Sequence, residues 1–173
     1  MEANIIKFNG VSPKIDPSVK LFAGAHIIGD VIIKEDCSIW FGCVLRGDVN
    51  SIEIRSRTNI QDLSVIHVGY KNQNGGGRVI IGEDVTIGHN CVIHACTIAD
   101  LCLIGMGSII MDDVKIGEMS IVGAGSLITK GKVFPARSLI IGNPAKFVRE
   151  LREDEIEGIR ISASEYTELA KSY

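Results

Sequence analysis

The stretch that decides the fold runs from Ile81 to Ile128: IGEDVTIGHNCVIHACTIADLCLIGMGSIIMDDVKIGEMSIVGAGSLI. Aliphatic residues recur in it at six-residue steps: Ile81, Ile87 and Ile93, then Ile98, Ile104, Ile110, Ile116, Val122 and Ile128. The same step runs backwards through Ile54, Ile60 and Ile66, and through Ile27, Ile33, Ile39 and Leu45. Short repeats at this period signal a parallel β-helix. Each aliphatic residue, position i, points inward, and the i+4 residue fills the space beside it. Glycine follows directly at Gly82, Gly88, Gly105, Gly117 and Gly123, where the reading expects it to permit a tight corner.

The breaks in the ladder are as informative as the rungs. Leu45 to Ile54 holds three extra residues, Ile66 to Ile81 nine extra, and Ile93 to Ile98 lacks one. The nine-residue excess maps to Gly69-Tyr70-Lys71-Asn72-Gln73-Asn74-Gly75-Gly76-Gly77, read as a protruding loop. The repeat fades after Ile128, and Gly142-Asn143-Pro144 ends it. From about Glu153 to Lys171 an apolar stripe of Ile156, Ile159, Ala163, Tyr166, Leu169 and Ala170 predicts an amphipathic helix packed along the prism. The domain reading is a β-helix over 1–144 and a helical segment over 145–173, all β but for that helix, in one domain.

Composition agrees with a narrow, repetitive interior. The chain of 173 residues is 46% hydrophobic yet 5% aromatic, with 19 glycines. Net charge is −3 with acids and bases interspersed, so no basic stripe argues for nucleic acid. No apolar run argues for a membrane span. The N-terminal MEANIIKFNG lacks a signal-peptide pattern, so the expected location is cytoplasmic. Cys37, Cys43, Cys91 and Cys102 fall at i+4, the slot that elsewhere takes Val, Ser or Thr; they read as small buried fillers, with only Cys96 off the slot.

The pattern aliphatic–Gly–x–x–small–x resembles the hexapeptide-repeat proteins. That resemblance implies a left-handed parallel β-helix with three hexads per coil and a triangular section. The faces can then be assigned, with Ile27 on face A, Ile33 on B and Ile39 on C. His67 and His94 both fall at i+1 on face A, one coil apart, and Arg46 takes the same slot one coil earlier. Asp62 and His89 fall at i+2 on face C, again one coil apart. Taken singly, each histidine is an ordinary polar residue at a corner, and His26 reads as an exposed turn residue. Taken together, His67 and His94 can converge, whereas His89 cannot join them within one chain. Three prisms around a threefold axis would bring face A of one against face C of the next. The resulting three imidazoles with an open fourth position form a catalytic metal pattern.

At these residues the resemblance sharpens. Leu45-Arg46-Gly47-Asp48, Asn59-Ile60-Gln61-Asp62, Ile66-His67, Gly88-His89-Asn90 and Ile93-His94-Ala95-Cys96 are together similar to the γ-class carbonic anhydrase family. The resemblance implies a homotrimer with zinc or ferrous iron held at subunit interfaces by His67, His89 and His94. It implies that Arg46 and Asp48 make ion pairs at the subunit contact with Asp62 across it. It further implies that Gln61 hydrogen-bonds the reacting solvent, with Asn59 nearby. The activity implied is reversible hydration of carbon dioxide to bicarbonate by hydroxide generated at the metal. Other readings are a metal-dependent acyl-CoA thioesterase, a hexapeptide acyltransferase, or a catalytically silent metal-binding trimer. One departure stands out. The family's best-known pattern carries proton-exporting carboxylates where this chain has Val49 and an acid-free loop.

Overall fold

The computed structural model describes residues 2–72 and 76–173. Its short strands stack in parallel into three columns, a solenoid of about 7 turns. On face A the register runs Ile27, Leu45, Ile66, Ile93, Ile110, Ile128. On face B it runs Ile33, Ile54, Ile81, Ile98, Ile116. On face C it runs Ile39, Ile60, Ile87, Ile104, Val122. Every one of these side chains is buried in a single continuous core. The ladder also continues beyond both limits read from the sequence. Ile15 stacks on Ile33 and Leu21 on Ile39 at one end; Phe134 stacks on Ile116 and Ile140 on Val122 at the other.

The glycines after the aliphatic residues do a different job from the one expected. None of Gly82, Gly88, Gly105, Gly117 or Gly123 has a positive φ. At Gly88 a Cβ would lie 2.7 Å from the Met106 backbone nitrogen of the next coil, so the slot needs close approach rather than an unusual conformation. The corner itself turns two residues later, where Asn90 adopts a φ of 55°.

The i+4 slot also has a polar logic. Thr58 Oγ1 donates to Gly82 O at 2.7 Å and Ser64 Oγ to Gly88 O at 2.9 Å, satisfying corner carbonyls inside the prism. The cysteines of this slot are free and buried, and so is Cys96. Burial pushes the thiols of Cys37, Cys43, Cys96 and Cys102 up to about 12. Cys96 is not off the slot: it stands two residues before Ile98, as Cys91 does before Ile93. The missing residue therefore falls at the corner beside Ala95, ahead of Cys96.

The three extra residues after Leu45 lie in one long strand, Val44–Ile54, that bends across faces A and B. Gly29 pairs with Gly47 and Val31 with Ile52, leaving residues 48–51 opposite Asp30 alone. This bulge carries Asp48, Val49 and Asn50. Asn50 Nδ2 donates to Gly69 O at 3.1 Å and Gly76 O at 2.6 Å, clamping both feet of the loop after His67. Positions 73–75 of that loop lie outside the described residues. His26 opens the strand His26–Ile33, paired with Val44 and half-buried, rather than standing in a turn.

The segment from 145 begins with a strand, not a helix. Ala145–Glu150 pairs antiparallel with Ser138–Gly142. The helix Glu153–Lys171 then runs back along face C. Leu151, Ile156 and Ile159 pack on Leu103, Ile121 and Leu139; Tyr166 and Ala170 reach Phe22 and Trp40. Leu169, read as part of the stripe, is exposed instead. No helix of the described residues is long and apolar enough to cross a membrane.

Candidate metal centre

Three consecutive coils place Arg46, His67 and His94 in one column, each paired in register with the next. Parallel stacking sets successive coils ~4.8 Å apart, so two imidazoles in one slot must either diverge or share a neighbour. They converge: His67 Nδ1 and His94 Nε2 are 3.1 Å apart. Two nitrogens bound at ~2.0–2.1 Å to one tetrahedral zinc stand ~3.3–3.4 Å apart. The pair therefore has a spacing that one shared cation would fit with a small adjustment.

Carboxylates bracket the pair along the column. From the coil before, Asp48 Oδ1 lies 3.1 Å from His67 Nε2, and the other oxygen of Asp48 takes the Arg46 guanidinium. From the coil after, Asp112 Oδ1 lies 2.6 Å from His94 Nδ1. Burial alone would push the Asp48 carboxyl up, but hydrogen bonds from His67 and Arg46 and the charge of Arg46 hold it below the usual range. Burial pushes His67 down, towards the neutral imidazole a metal needs, with Asp48 opposing.

His89 stands on the other column. It follows Ile87 of face C, at the corner leading into face A, and its Nδ1 meets Asp62 Oδ2 at 2.7 Å. Among the described residues no group of three or more His, Cys, Asp or Glu side chains of one chain is arranged to hold a metal ion. One coil earlier on this side, Gln61 and Asn59 are buried and linked. Thr86 Oγ1 accepts from Asn59 Nδ2 at 2.9 Å, and Asn59 Oδ1 accepts from Gln61 Nε2 at 3.2 Å. That chain commits the Gln61 NH₂ inward and leaves its carbonyl oxygen as the free acceptor.

The structure thus brings together Arg46, Asp48, His67 and His94, and separately pairs Asn59 with Gln61 and Asp62 with His89. Sequence reading missed Asp112 and Thr86. Asp112 was within reach: it sits at i+2 after Ile110, one coil beyond His94.

Face A outside this column is apolar. Val65, Val92 and Ile109 stack at i−1 with 37%, 42% and 42% of their surface exposed, beside the exposed Leu63 and Met106 of the corner.

A prism of stacked six-residue hexads defines a class, and comparison with known proteins agrees. The family described as bacterial transferase hexapeptide (six repeats) matches residues 95–130. The crystal structure of a hexapeptide transferase family protein from Anaplasma phagocytophilum superposes with a TM-score of 0.92 at 44% identity, covering 98% of each chain. The prism is accordingly a left-handed parallel β-helix. A carbonic anhydrase from Geobacillus kaustophilus is 43% identical over 98% of this chain and 90% of its own length. Gamma carbonic anhydrase 2, mitochondrial, of Arabidopsis thaliana is 45% identical over 92% of this chain, which spans only 58% of that relative. The chain belongs to the γ-class carbonic anhydrase family.

Proposed function

We propose that this protein hydrates carbon dioxide reversibly to bicarbonate, as a homotrimer with a divalent metal, zinc or ferrous iron, at each subunit interface. The carrying observation is the split of the histidines: His67 and His94 share one column at 3.1 Å, and His89 stands on another. A second copy presenting its His89 against face A would supply the third ligand. The open apolar stripe of Val65, Val92 and Ile109 gives that copy a surface to cover.

The donor set suits a metal. The Nδ1 atoms of His89 and His94 are each taken by a carboxylate, which leaves each Nε2 lone pair free. Bound there, the metal would supply Lewis acidity and bring the pKa of water down towards ~7. The chain's own groups do the rest. Gln61 Oε1, an acceptor only, would accept a hydrogen bond from the reacting O–H and so turn a lone pair towards carbon dioxide. The apolar side chains of face A would hold that substrate against them. Arg46 brings a planar fork of donors that suits carboxylates, and so orients the contact rather than donating protons. Asp62 uses one oxygen on His89 and keeps the other for Arg46 of a neighbouring copy, which sits half-exposed beside its own Asp48.

The family model behind the transferase reading matches residues 95–130, which hold none of the three histidines. Metal analysis of anaerobically purified protein, followed by stopped-flow hydration on the same sample, tests the proposal. Stoichiometric metal with turnover is expected. Metal without turnover at any buffer concentration would favour the thioesterase reading.

A further inference from the structure

Asp112 has no part in the ligand set, yet it grips one end of the histidine column. Ile110 stacks on Ile93, so Met111 takes the slot of His94 and Asp112 comes next, at the corner. The backbone there is pinned, with Asp113 N donating to Ala95 O at 2.8 Å. The carboxylate is thereby turned back towards the coil above, where its Oδ1 reaches His94 Nδ1 at 2.6 Å.

The chemistry of that contact is one-sided. An ionised carboxylate only accepts, so the proton between the two atoms belongs to His94 Nδ1. In the neutral ring the lone pair must then reside on Nε2, which faces His67 at 3.1 Å. The ring is also held in plane by an acceptor fixed on the next coil, so its direction and its tautomer are set together. His67 has a looser version of this arrangement: Asp48 Oδ1 stands 3.1 Å from its Nε2, and the same carboxylate also serves Arg46 through its other oxygen.

We propose that Asp112 is a positioning residue that locks His94 in the Nδ1–H tautomer and aims its Nε2 at the centre it shares with His67. The value of this lock for metal affinity rests on the metal reading above; the tautomer does not. Outer carboxylates of this kind are typically worth ~10–100-fold in metal affinity.

The test uses full-length protein with ¹⁵N-labelled histidine, metal-free, at mildly alkaline pH. Long-range ¹H–¹⁵N spectra should show the His94 proton on Nδ1 in the unsubstituted protein and a shift towards Nε2–H in Asp112→Ala. Zinc competition against a chromophoric chelator should show a loss of ~10–100-fold for Asp112→Ala. Asp112→Asn, whose side-chain oxygen still accepts the N–H, should keep most of the affinity and the tautomer. A His94 proton on Nε2 in the unsubstituted protein overturns the proposal, and so does unchanged zinc affinity in Asp112→Ala. If the unsubstituted protein binds no zinc, the metal reading fails while the tautomer still decides Asp112. Should Asp112→Ala not fold, the unsubstituted protein and Asp112→Asn carry the same decision.

Discussion

Faces A and C of the prism use the same outward slot in opposite ways. One residue before the inward aliphatic, face C carries Leu103, Ile121 and Leu139, and face A carries Val65, Val92 and Ile109. On face C the chain covers these residues itself, with Leu151, Ile156 and Ile159. On face A they stay open, and the open stripe runs beside Arg46, His67 and His94. A chain that spends a 19-residue helix on one apolar face and none on another leaves the second for a partner. On the proposed reading, the centre beside it takes its third ligand, His89, from that partner.

The hardest blow to this comparison comes from the histidines. His67→Ala and His89→Ala should each lose the metal and at least ~10²-fold in hydration, since each removes a ligand. Mixed in equal amounts, the two inactive variants should regenerate about a quarter of the sites, because random closed trimers pair an intact donor of each kind at that frequency. Mixed trimers that form yet bind no metal would show that face A and the His89 corner do not meet.

The second blow falls on the stripe. Val92→Asp should cost roughly 3–5 kcal/mol of association by burying a charge without a partner. Val133, at the equivalent slot on face B and openly exposed, provides the control. Sedimentation of dilute samples should find Val133→Asp still trimeric and Val92→Asp dissociated. Equal behaviour of the two would mean that face A is nobody's interface. Ile159→Ala attacks the covered side instead and should cost ~2–5 kcal/mol of folding stability. Its association should be unchanged, and chemical denaturation beside sedimentation separates the two effects.

These contrasts also show what the sequence could and could not disclose. The ladder from Ile27 to Ile128 was legible because one residue type repeats in one slot. Its ends were not. At Phe134 a ring replaces the aliphatic residue and Pro135 replaces the glycine, although the six-residue step persists. The split histidines were legible because period and face together fix direction. Thr86 was missed because its role depends on a hydrogen bond between coils, which a count of slots does not contain, whereas Asp112, at i+2 one coil beyond His94, was within reach of that count. The helix stripe was read nearly whole, but Leu169 faces solvent where the helix ends and Tyr166 and Ala170 already fill the contact. The strand Ala145–Glu150 falls in the segment read as helical because Gly142-Asn143-Pro144 ends the repeat, and its antiparallel pairing back onto Ser138–Gly142 leaves no trace in a six-residue step.

Arg46 gives a smaller test of the same interface. It is half-exposed and paired with Asp48 inside the chain, so most of its charge is satisfied before any partner arrives. Arg46→Ala should weaken association by about 2 kcal/mol, at the low end for an ion pair broken on one side. Asp62→Ala should match it if the two meet across the contact. An effect from one and none from the other would exclude the pair.

The smallest effect concerns protons, and it turns on Val49. Hydration of carbon dioxide releases one proton per turnover, and the centre must pass it to solvent. A positioned side chain carries such a proton best when its pKa is near the working pH. Val49 cannot carry one, and the sequence Gly69 to Gly77 holds no carboxylate or imidazole to do so. External buffer must then do much of the work, so turnover should rise steeply with imidazole at constant ionic strength. Val49 lies beside Asp48 and lines a cavity of about 100 Å³ with Asp30, Asn50 and Lys71. A glutamate there would stand among Asp30 and Asp48, and like charges raise a carboxyl's pKa towards neutrality, with Lys71 opposing. Val49→Glu should therefore raise turnover in weak buffer by roughly 3-fold, well short of an evolved shuttle. In strong imidazole the gain should vanish, because chemistry rather than proton export then sets the rate. A gain that persists there would assign Val49 to the hydration step itself, and rates already independent of buffer without the substitution would reveal a carrier elsewhere on the open face.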